Sequence, residues 1–317
     1  MNVISLFDGI SCGRVALERA GVPVEKYHAW EIDKHAIKIS EKNFPDIEHH
    51  GDVTNANFTK YRDCELLIGG SPCQGFSVAG KQLNFCDPRS RLYFEFERAL
   101  HEANPKWFLL ENVCMKKEYE EIITGRLGVK PIEINSSLVS AQNRKRLYWT
   151  NIPDIQQPED RGITLRDIVH ELTDGTDISS YKIDDERARE IIENDVAKGK
   201  IQRSGAGYII HGNYVEIGQP GDYLFGCITP ERVKKRQNGQ RFNTGEKFYT
   251  LTAIDKHGLL VDGYLRRATP VECERLQTLP DGYTEGISEN QRYKCLGNGW
   301  TVDVIAHLLR GLADGQN

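Results

Sequence analysis

Short apolar runs alternate with amphipathic stretches over the first half of the chain. The apolar runs predict buried strands, and stretches with apolar residues at three- and four-residue spacing, such as Leu92, Phe96 and Leu100, predict helices. The predicted strands are 3–7, 28–32, 66–69, 107–110 and 147–150, and the predicted helices are 13–20, 34–43 and 91–103. This order predicts an α/β domain with a mostly parallel sheet and helices on both faces.

The alternation fades after Ile152, where the chain becomes rich in glycine, asparagine and other polar residues. Short strand-like pieces at 208–210 and 248–251 predict a smaller, irregular, mostly β region. A chain of 317 residues suits either one large α/β domain with an insertion or two domains.

A helical pattern returns at 302–312. We therefore expect a catalytic and cofactor-binding domain over residues 1–152, completed by a C-terminal segment, 291–317, that packs back onto it. The intervening residues, 153–290, would form the second domain.

The composition is that of an ordinary globular protein, with 39% hydrophobic and 27% charged residues. No apolar run approaches the roughly 18 residues that a membrane helix needs, so no membrane partner is expected. The N-terminus lacks the basic region of a signal peptide. The eight cysteines include no Cys-x-x-Cys pair, so we expect no metal and no disulfide framework, but reduced thiols in the cytoplasm.

The net charge of −5 argues against a nucleic-acid partner, but the average conceals a basic stretch. Residues 200–247 contain eight lysines and arginines and four acidic residues. This stretch is either a surface that faces DNA or a solvated polar face, and its charge alone does not distinguish the two.

Polar residues follow the first predicted strands where each strand ends. Phe7-Asp8-Gly9-Ile10 begins a glycine-containing turn that lacks the Gly-x-Gly-x-x-Gly spacing of dinucleotide sites. Glu31 ends the second strand, where an acid usually accepts hydrogen bonds from ribose hydroxyls, and Asp52 could hold an adenine amino group. The set favours a nucleoside ligand without phosphates, of which S-adenosylmethionine is the commonest; helix caps and turn acids are the alternative.

Cys73 lies in Ser71-Pro72-Cys73-Gln74, directly after the strand that Gly69-Gly70 closes. Sites in open α/β sheets form at the carboxyl ends of strands, so this thiol is a candidate nucleophile. The alternative is a buried structural cysteine.

Two later segments carry further candidate groups. Glu111 follows the apolar run 107–110 and could act as an acid or hydrogen-bond donor; otherwise it caps the strand end. Arg144 and Arg146 precede the strand 147–150 and point the same way in an extended segment. Their guanidinium groups suit a phosphate or a pyrimidine carbonyl and would lower the pKa of a nearby thiol; otherwise they form a solvated basic edge.

Taken in order, these segments resemble the cytosine-5 DNA methyltransferases over residues 1–152 and 264–312. The motifs that carry the resemblance are Phe-x-Gly from Phe7, Glu31, Asp52-Val53, Ser71-Pro72-Cys73-Gln74, Glu111-Asn112-Val113, Gln-x-Arg-x-Arg from Gln142, Arg-x-x-x-Pro-x-Glu-Cys from Arg266, and Gly297-Asn298-Gly299. Leu6-Phe7-Asp8-Gly9-Ile10 and Trp300 are similar to the animal de novo branch, whereas Gln74-Gly75-Phe76-Ser77 is similar to bacterial enzymes. The resemblance implies a bacterial or phage enzyme, of the kind found in restriction-modification systems, with a Rossmann-like methyltransferase domain and a target-recognition domain.

The resemblance also implies roles for the candidate catalytic residues. Cys73 would attack carbon 6 of a cytosine flipped out of the duplex. Glu111 would hold ring nitrogen 3 and the amino group, Arg144 would contact the base carbonyl, and Arg146 would support the Cys73 loop. Double-stranded DNA is the implied partner, in the cytoplasm and at the nucleoid.

The implied cofactor is S-adenosylmethionine, which leaves as S-adenosylhomocysteine. Its pocket would have Phe7 stacked on the cofactor, Glu31 on the ribose, and Asp52 with Val53 at the adenine. The implied pocket residues are Phe7, Asp8, Gly9, Ile10, Glu31, Asp52, Val53, Gly70, Pro72, Leu92, Asn298 and Trp300.

The implied DNA contacts come from two regions. Residues 74–91 would form a mobile loop, with Gln74, Ser77 and Arg89 reaching phosphates or the orphan base. In the recognition region Thr250 would bond the flipped nucleotide, and Gln237 and Arg241 would read bases or fill the gap. The alternative for the segment 237–241 is a polar hairpin tip.

Three other functions compete with this interpretation. A tRNA cytosine methyltransferase on the same scaffold usually carries a Cys-Phe-Thr triplet, which this chain lacks. A catalytically silent DNA-binding paralogue would normally have lost the nucleophile or the acid, and both are present. A nicotinamide dehydrogenase is disfavoured by the glycine spacing.

Overall fold

The computed structural model describes residues 1–72, 92–170, 176–234 and 240–314. Its centre is a sheet built from β1 (Asn2–Leu6), β2 (Lys26–Trp30), β3 (Glu48–His49), β4 (Leu66–Gly70), β5 (Trp107–Val113), β6 (Ile132–Asn135) and β7 (Lys145–Thr150). The spatial order is β3-β2-β1-β4-β5-β7-β6. The first five strands are parallel, and β7 runs antiparallel to both β5 and β6.

Helices cover both faces of this sheet, as the sequence predicts. The helices of the described residues are α1 (Cys12–Ala20), α2 (Lys34–Asn43), α3 (Leu92–Ala103), α4 (Lys117–Leu127), Asp185–Val196, Pro270–Leu276, Glu289–Asn298, Val302–Leu309 and Gly311–Asp314. Of these, Asp185–Val196 packs with the smaller sheets of the second region and not on this one. Leu66 and Ile68 pack with α1, α2 and Val302–Leu309, while Leu67 packs on the opposite face with α3 and α4. Consecutive apolar residues therefore serve two cores, because side chains alternate between the faces of a strand. None of the described helices is both long and apolar enough to cross a membrane.

The predicted strand boundaries shift by one to three residues, and at two of them the local reason is clear. β2 ends at Trp30 rather than Ile32 because the carboxylate of Glu31 accepts the backbone amides of Ile32 and Asp33 and turns the chain. β5 continues to Val113 because its last residues pair with β7. Glu111 therefore lies within a strand and not after its end.

The region after Ile152 is smaller and mostly β, in agreement with the prediction. Its strands are β8 (Gln202–Ser204), β9 (Gly207–Ile210), β10 (Asn213–Val215), β11 (Leu224–Cys227), β12 (Gly258–Val261) and β13 (Tyr264–Arg267). They form two three-stranded antiparallel sheets, β10-β9-β8 and β11-β12-β13. Both sheets contribute to one apolar cluster with the helix Asp185–Val196.

The predicted strand at 248–251 is wrong. Phe248 makes only an isolated bridge with Gln142, and Asn143 donates its amide to the Phe248 carbonyl at 2.9 Å. Leu251 donates its amide to the side-chain oxygen of Gln142 at 2.8 Å. The segment thus bonds to a loop of the first region, which no local sequence pattern indicates.

The domain boundary at residue 290 stays a prediction. Hydrogen bonds already join earlier residues to the first 152: Tyr283 donates its hydroxyl to the Ile10 carbonyl at 2.7 Å, and Ser140 donates to the Leu276 carbonyl at 2.6 Å. These bonds favour a returning segment that begins near Ala268.

A buried ion pair joins the last strand of the mostly β region to the start of this returning segment. Arg266 and Glu272 are both fully buried, and the guanidinium donates to the two carboxylate oxygens at 2.8 and 2.6 Å. The same carboxylate accepts the backbone amides of Thr269 and His170. The Arg-x-x-x-Pro-x-Glu-Cys motif is therefore structural here, since its arginine and glutamate hold the start of the helix Pro270–Leu276.

Replacement of Glu272 by glutamine should lower the free energy of unfolding by about 3–5 kcal/mol, because it leaves the Arg266 charge buried without its counter-ion. Urea denaturation followed by tryptophan fluorescence measures the change. Glu120→Gln, which breaks the partly exposed Lys117–Glu120 pair, is the matched control and should cost less than about 1 kcal/mol. Equal losses in the two variants would contradict this account of the motif.

Candidate active site

A cavity of about 330 Å³ opens at the carboxyl ends of β1, β2, β4 and β5. Parallel strands bring residues that are far apart in sequence to this edge. The cavity is lined by every predicted cofactor residue and by the three predicted catalytic residues that the structure describes: Phe7, Asp8, Gly9, Ile10, Glu31, Asp52, Val53, Gly70, Pro72, Leu92, Glu111, Arg144, Arg146, Asn298 and Trp300.

The turn after β1 has an unusual backbone. Phe7, Gly9 and Ser11 have φ values of 58°, 61° and 60°, in the left-handed region. For the two non-glycine residues this conformation costs about 1–3 kcal/mol each, and such residues cluster at ligand sites. The turn places Phe7 and the Gly9 backbone at the cavity wall.

Asp8 fixes this turn from within. Ser5 and Tyr27 donate their hydroxyls to one carboxylate oxygen at 2.6 and 2.7 Å, and Ser11 donates to the other. Burial raises the pKa of the Asp8 carboxyl, although the three hydroxyl donors act in the opposite direction. Asp8 thus stabilises the turn by accepting these three hydroxyl groups.

Glu31 and Asp52 present two carboxylates to the cavity. Glu31 accepts the backbone amide of Gly9 at 2.8 Å, in addition to the two amides that end β2. Asp52 accepts both the amide and the hydroxyl of Thr54, and these hydrogen bonds lower the pKa of the Asp52 carboxyl. Two oriented acids at successive strand ends can accept hydrogen bonds from hydroxyl and amino groups of a nucleoside.

The carboxylate of Glu111 is held from two sides. Its Oε1 lies 2.9 Å from Nε of Arg146, and its Oε2 accepts the indole N–H of Trp300 at 3.2 Å. Register explains the first contact, because Val113 pairs with Arg146 across β5 and β7. The second joins the sheet to a residue 189 positions later in the chain.

Gly70 is required where these groups meet. A Cβ atom at this position would lie 2.8 Å from Nε1 of Trp300 and 2.9 Å from Oε2 of Glu111. Both distances are shorter than carbon contacts allow, so any larger residue displaces the indole or the carboxylate. The glycine at the end of β4 therefore allows the Trp300 indole and the Glu111 carboxylate to lie close to the backbone of this strand.

Arg144 lines the cavity, and its described hydrogen bonds go to the protein backbone. Its side chain is buried, and its guanidinium donates to the carbonyls of Leu251 and Gly299 at 2.9 Å and of Gly297 at 3.3 Å. These bonds hold the returning segment and the segment around Leu251 against the sheet. Arg146, whose guanidinium contacts Glu111, lines the same cavity.

Arg241, which is predicted to contact DNA, is buried. Only 1% of the residue is exposed, and its guanidinium pairs with the buried Asp195 and donates to the carbonyls of Arg232 and Val233. Lys247 donates in the same way to three backbone carbonyls. The basic stretch is therefore partly internal, because a buried cation needs a counter-ion or oxygen partners.

The remaining predicted contacts are only partly described. Cys73, Gln74, Ser77, Arg89 and Gln237, together with the proposed loop over 74–91, lie outside the described residues. Thr250 is half-buried and donates its hydroxyl to the carbonyl of Asn143.

The sequence interpretation missed several lining residues, most of which adjoin predicted ones. They are Cys12, Trp30, Ile32, Asp33, Ala36, Gly51, Ser71, Val113, Cys295, Gly297 and Gly299. Ile32 could have been found from the sequence, because it directly follows the strand-end acid Glu31. In the structure it is 75% exposed and lines the cavity.

Comparison with known proteins assigns this arrangement to a family. A family model described as C-5 cytosine-specific DNA methylase matches residues 1–121 and 135–313. The chain belongs to this family. The chain is 31% identical to the type II methyltransferase M1.ScrFI of Lactococcus lactis subsp. cremoris, over 96% of the chain and 76% of the relative. It is 28% identical to the orphan methyltransferase M.SPRI of Bacillus phage SPR, over 98% and 97%.

A solved structure shares the fold. The Entamoeba histolytica methyltransferase EhMeth superimposes on this methylase with a TM-score of 0.68, over 100% of this chain and 99% of that one, at 22% identity. At this identity the comparison supports the architecture alone. The Rossmann-like α/β fold that the sequence predicts is thereby confirmed.

The described cysteines of the methylase are free thiols, and most are buried. Burial raises the pKa of four of them to about 12; these are Cys12, Cys64, Cys227 and Cys295. A raised pKa favours the neutral thiol, and only the thiolate is an effective nucleophile.

These four thiols should resist iodoacetamide at pH 8, where a thiol of pKa about 12 is ionised in only about one molecule in 10⁴. Peptide mass spectrometry of native and urea-denatured protein measures the modification. The denatured chain is the control and should react at all four positions. Equal labelling in the native protein would contradict the burial of these thiols.

Proposed function

We propose that the chain is a DNA (cytosine-5)-methyltransferase that uses S-adenosylmethionine and acts on a flipped cytosine through a covalent adduct with Cys73. The observation that carries the proposal is one cavity in which the Glu31 and Asp52 carboxylates lie beside the Glu111–Arg146 pair. A nucleoside pocket next to a carboxylate–guanidinium pair suits a cofactor and a pyrimidine bound side by side. The family match supports the same reaction class.

The cavity residues fit this cofactor. Phe7 and Trp300 offer aromatic surfaces, Glu31 would accept the ribose hydroxyls, and Asp52 with the buried Val53 would meet the adenine. When bound, S-adenosylmethionine would supply an activated methyl group to carbon 5 of the cytosine, with S-adenosylhomocysteine as the leaving group.

The acid and the nucleophile make that carbon reactive. Cys73 is the residue after Pro72, which lines the cavity. It would add as a thiolate to carbon 6, and Glu111 would hold ring nitrogen 3 and the amino group as charge develops on the ring. After methylation a base, such as water, removes the carbon-5 proton, and the Cys73 sulfur leaves. Addition and elimination divide one difficult substitution into two easier steps.

We assign the two arginines roles that differ from those the resemblance implies. Arg146 already contacts Glu111, and about a seventh of its side chain is exposed, so we assign it to the base carbonyl. Arg144 is a positioning residue, since its donors reach the carbonyls of Leu251, Gly297 and Gly299.

The DNA would lie between the two regions of the chain. We assign Gln74, Ser77 and Arg89 to phosphates or the orphan base, and Gln237 to base reading, and we keep Thr250 as a contact to the flipped nucleotide. Arg241 has no part in this interface, because its buried side chain pairs with Asp195. Exposed Arg232 and Lys234 from the same stretch can supply phosphate contacts instead.

Transfer of labelled methyl from S-adenosylmethionine to duplex DNA and to tRNA tests this function. Wild-type protein should label cytosines of the DNA, and Cys73→Ser should lose about 1000-fold or more of the rate, since removal of a nucleophile abolishes the covalent route. Cys114→Ser, which alters a half-buried thiol outside the cavity lining, is the matched control and should retain activity.

Undiminished transfer by Cys73→Ser would contradict the mechanism. Labelling of tRNA in preference to DNA would favour the tRNA methyltransferase, and no labelling of either would favour the silent paralogue.

A further inference from the structure

A cluster of metal-binding side chains lies at the edge of the central sheet, outside the cavity lining. His28 belongs to β2, Glu48 belongs to the edge strand β3, and His50 follows that strand directly. The ligand atoms of these three residues all lie within 4.8 Å of one another. We refer to them as the His28–Glu48–His50 cluster.

The backbone dictates that these side chains meet. Glu48 is the ladder partner of His28, and the amide of His50 donates to the Ala29 carbonyl at 2.9 Å. Glu48 and His50 are two residues apart in an extended segment, so their side chains point to the same face of the sheet as that of His28. The cluster therefore follows from strand register.

The spacing of the ligand atoms suits a small ion. Nδ1 of His28 shares a hydrogen bond of 3.1 Å with Nε2 of His50, which a bound ion would replace, and lies 3.3 Å from Oε2 of Glu48. Tetrahedral zinc with ligand bonds of 2.0–2.1 Å has neighbouring ligand atoms about 3.3 Å apart. The side chain of Glu48 is 57% exposed, so it can rotate to bring a carboxylate oxygen to an ion that the two imidazole nitrogens hold.

Aromatic packing orients the two imidazole rings. The His50 ring lies 4.6 Å from the Trp30 ring, and the Tyr61 ring lies 4.8 Å from His28 and 5.6 Å from His50, measured between centroids. Rings fixed by neighbours lose little rotational freedom when they bind an ion, which favours affinity.

We propose that the His28–Glu48–His50 cluster binds a divalent first-row transition metal ion, represented by zinc, through two imidazole nitrogens and one carboxylate oxygen. Imidazole selects such ions over magnesium or calcium, and a fourth position toward solvent is left for water. The ion links β2 to the two-residue strand β3. It thereby fixes the chain just before Gly51 and Asp52, which line the cavity.

Zinc titration of the tag-free, chelator-treated full chain by isothermal calorimetry tests the proposal. One zinc ion should bind at the cluster, and His50→Ala and Glu48→Gln should each weaken its binding about tenfold or more. His101→Ala is the matched control, because His101 is an exposed histidine 3.7 Å from Glu97. Across the described ranges no third metal-binding group completes a set with that pair, so the control should bind as wild type does.

Cobalt(II) gives a second readout, since wild-type protein should show the visible absorption of a tetrahedral nitrogen and oxygen site and His50→Ala should not. Thermal unfolding of each variant without metal identifies any loss of folding; if His50→Ala fails to fold, Glu48→Gln decides, because its side chain is largely exposed. Failure of wild type to bind zinc would overturn the proposal. Equal binding by wild type and both cluster variants would also overturn it, because the ion would then sit on other groups such as the thiols.

Discussion

The carboxylate of Glu111 is held between Arg146 and Trp300, and the arrangement of the site depends on this contact. Glu111 belongs to β5, Arg146 to β7 and Trp300 to the returning segment. The contact among the three residues therefore forms only when these parts of the chain have come together. Gly70 on β4 leaves the space in which the carboxylate and indole meet. The antiparallel pairing of β7 with β5 is what places a guanidinium beside an acid at an edge otherwise made by parallel strands.

A second, buried arginine joins the parts of the chain that surround this contact. Arg144 donates to carbonyls near residue 251 and near residue 298, and so connects the mostly β region and the C-terminal return to the sheet. A buried charge without hydrogen-bond partners raises the free energy of the folded state. These bonds therefore strongly favour one relative placement of the three segments. Both arginines of the motif line the cavity; Arg144 also joins three segments of the fold, and Arg146 contacts Glu111.

The sequence predicts five of the seven strands of the sheet and the helices α1, α2 and α3 from apolar periodicity, whereas β3, β6 and α4 are not predicted. The rule that α/β sites lie at strand ends predicts where the cavity opens and that Glu31 and Asp52 face it, and the family resemblance supplies most of the other predicted lining residues. Interactions between distant residues were not accessible in this way. Arg241 occurs in a polar stretch that resembles a DNA-facing loop, and its partner Asp195 lies 46 residues earlier. The segment 248–251 has the composition of a strand but bonds to the loop at 141–143. His28, Glu48 and His50 have no recognisable motif, since only the β2–β3 register brings them together.

Covalent trapping on duplex DNA that carries 5-fluorocytosine at a methylated position tests the central claim most directly, because fluorine at carbon 5 blocks the elimination that releases the enzyme. With S-adenosylmethionine present, wild-type protein should form a denaturant-stable adduct at Cys73, and the isosteric Glu111→Gln should form it at least about 100-fold more slowly. The absence of any adduct on a position known to be methylated, or an adduct formed as fast by Glu111→Gln as by wild type, would contradict the account.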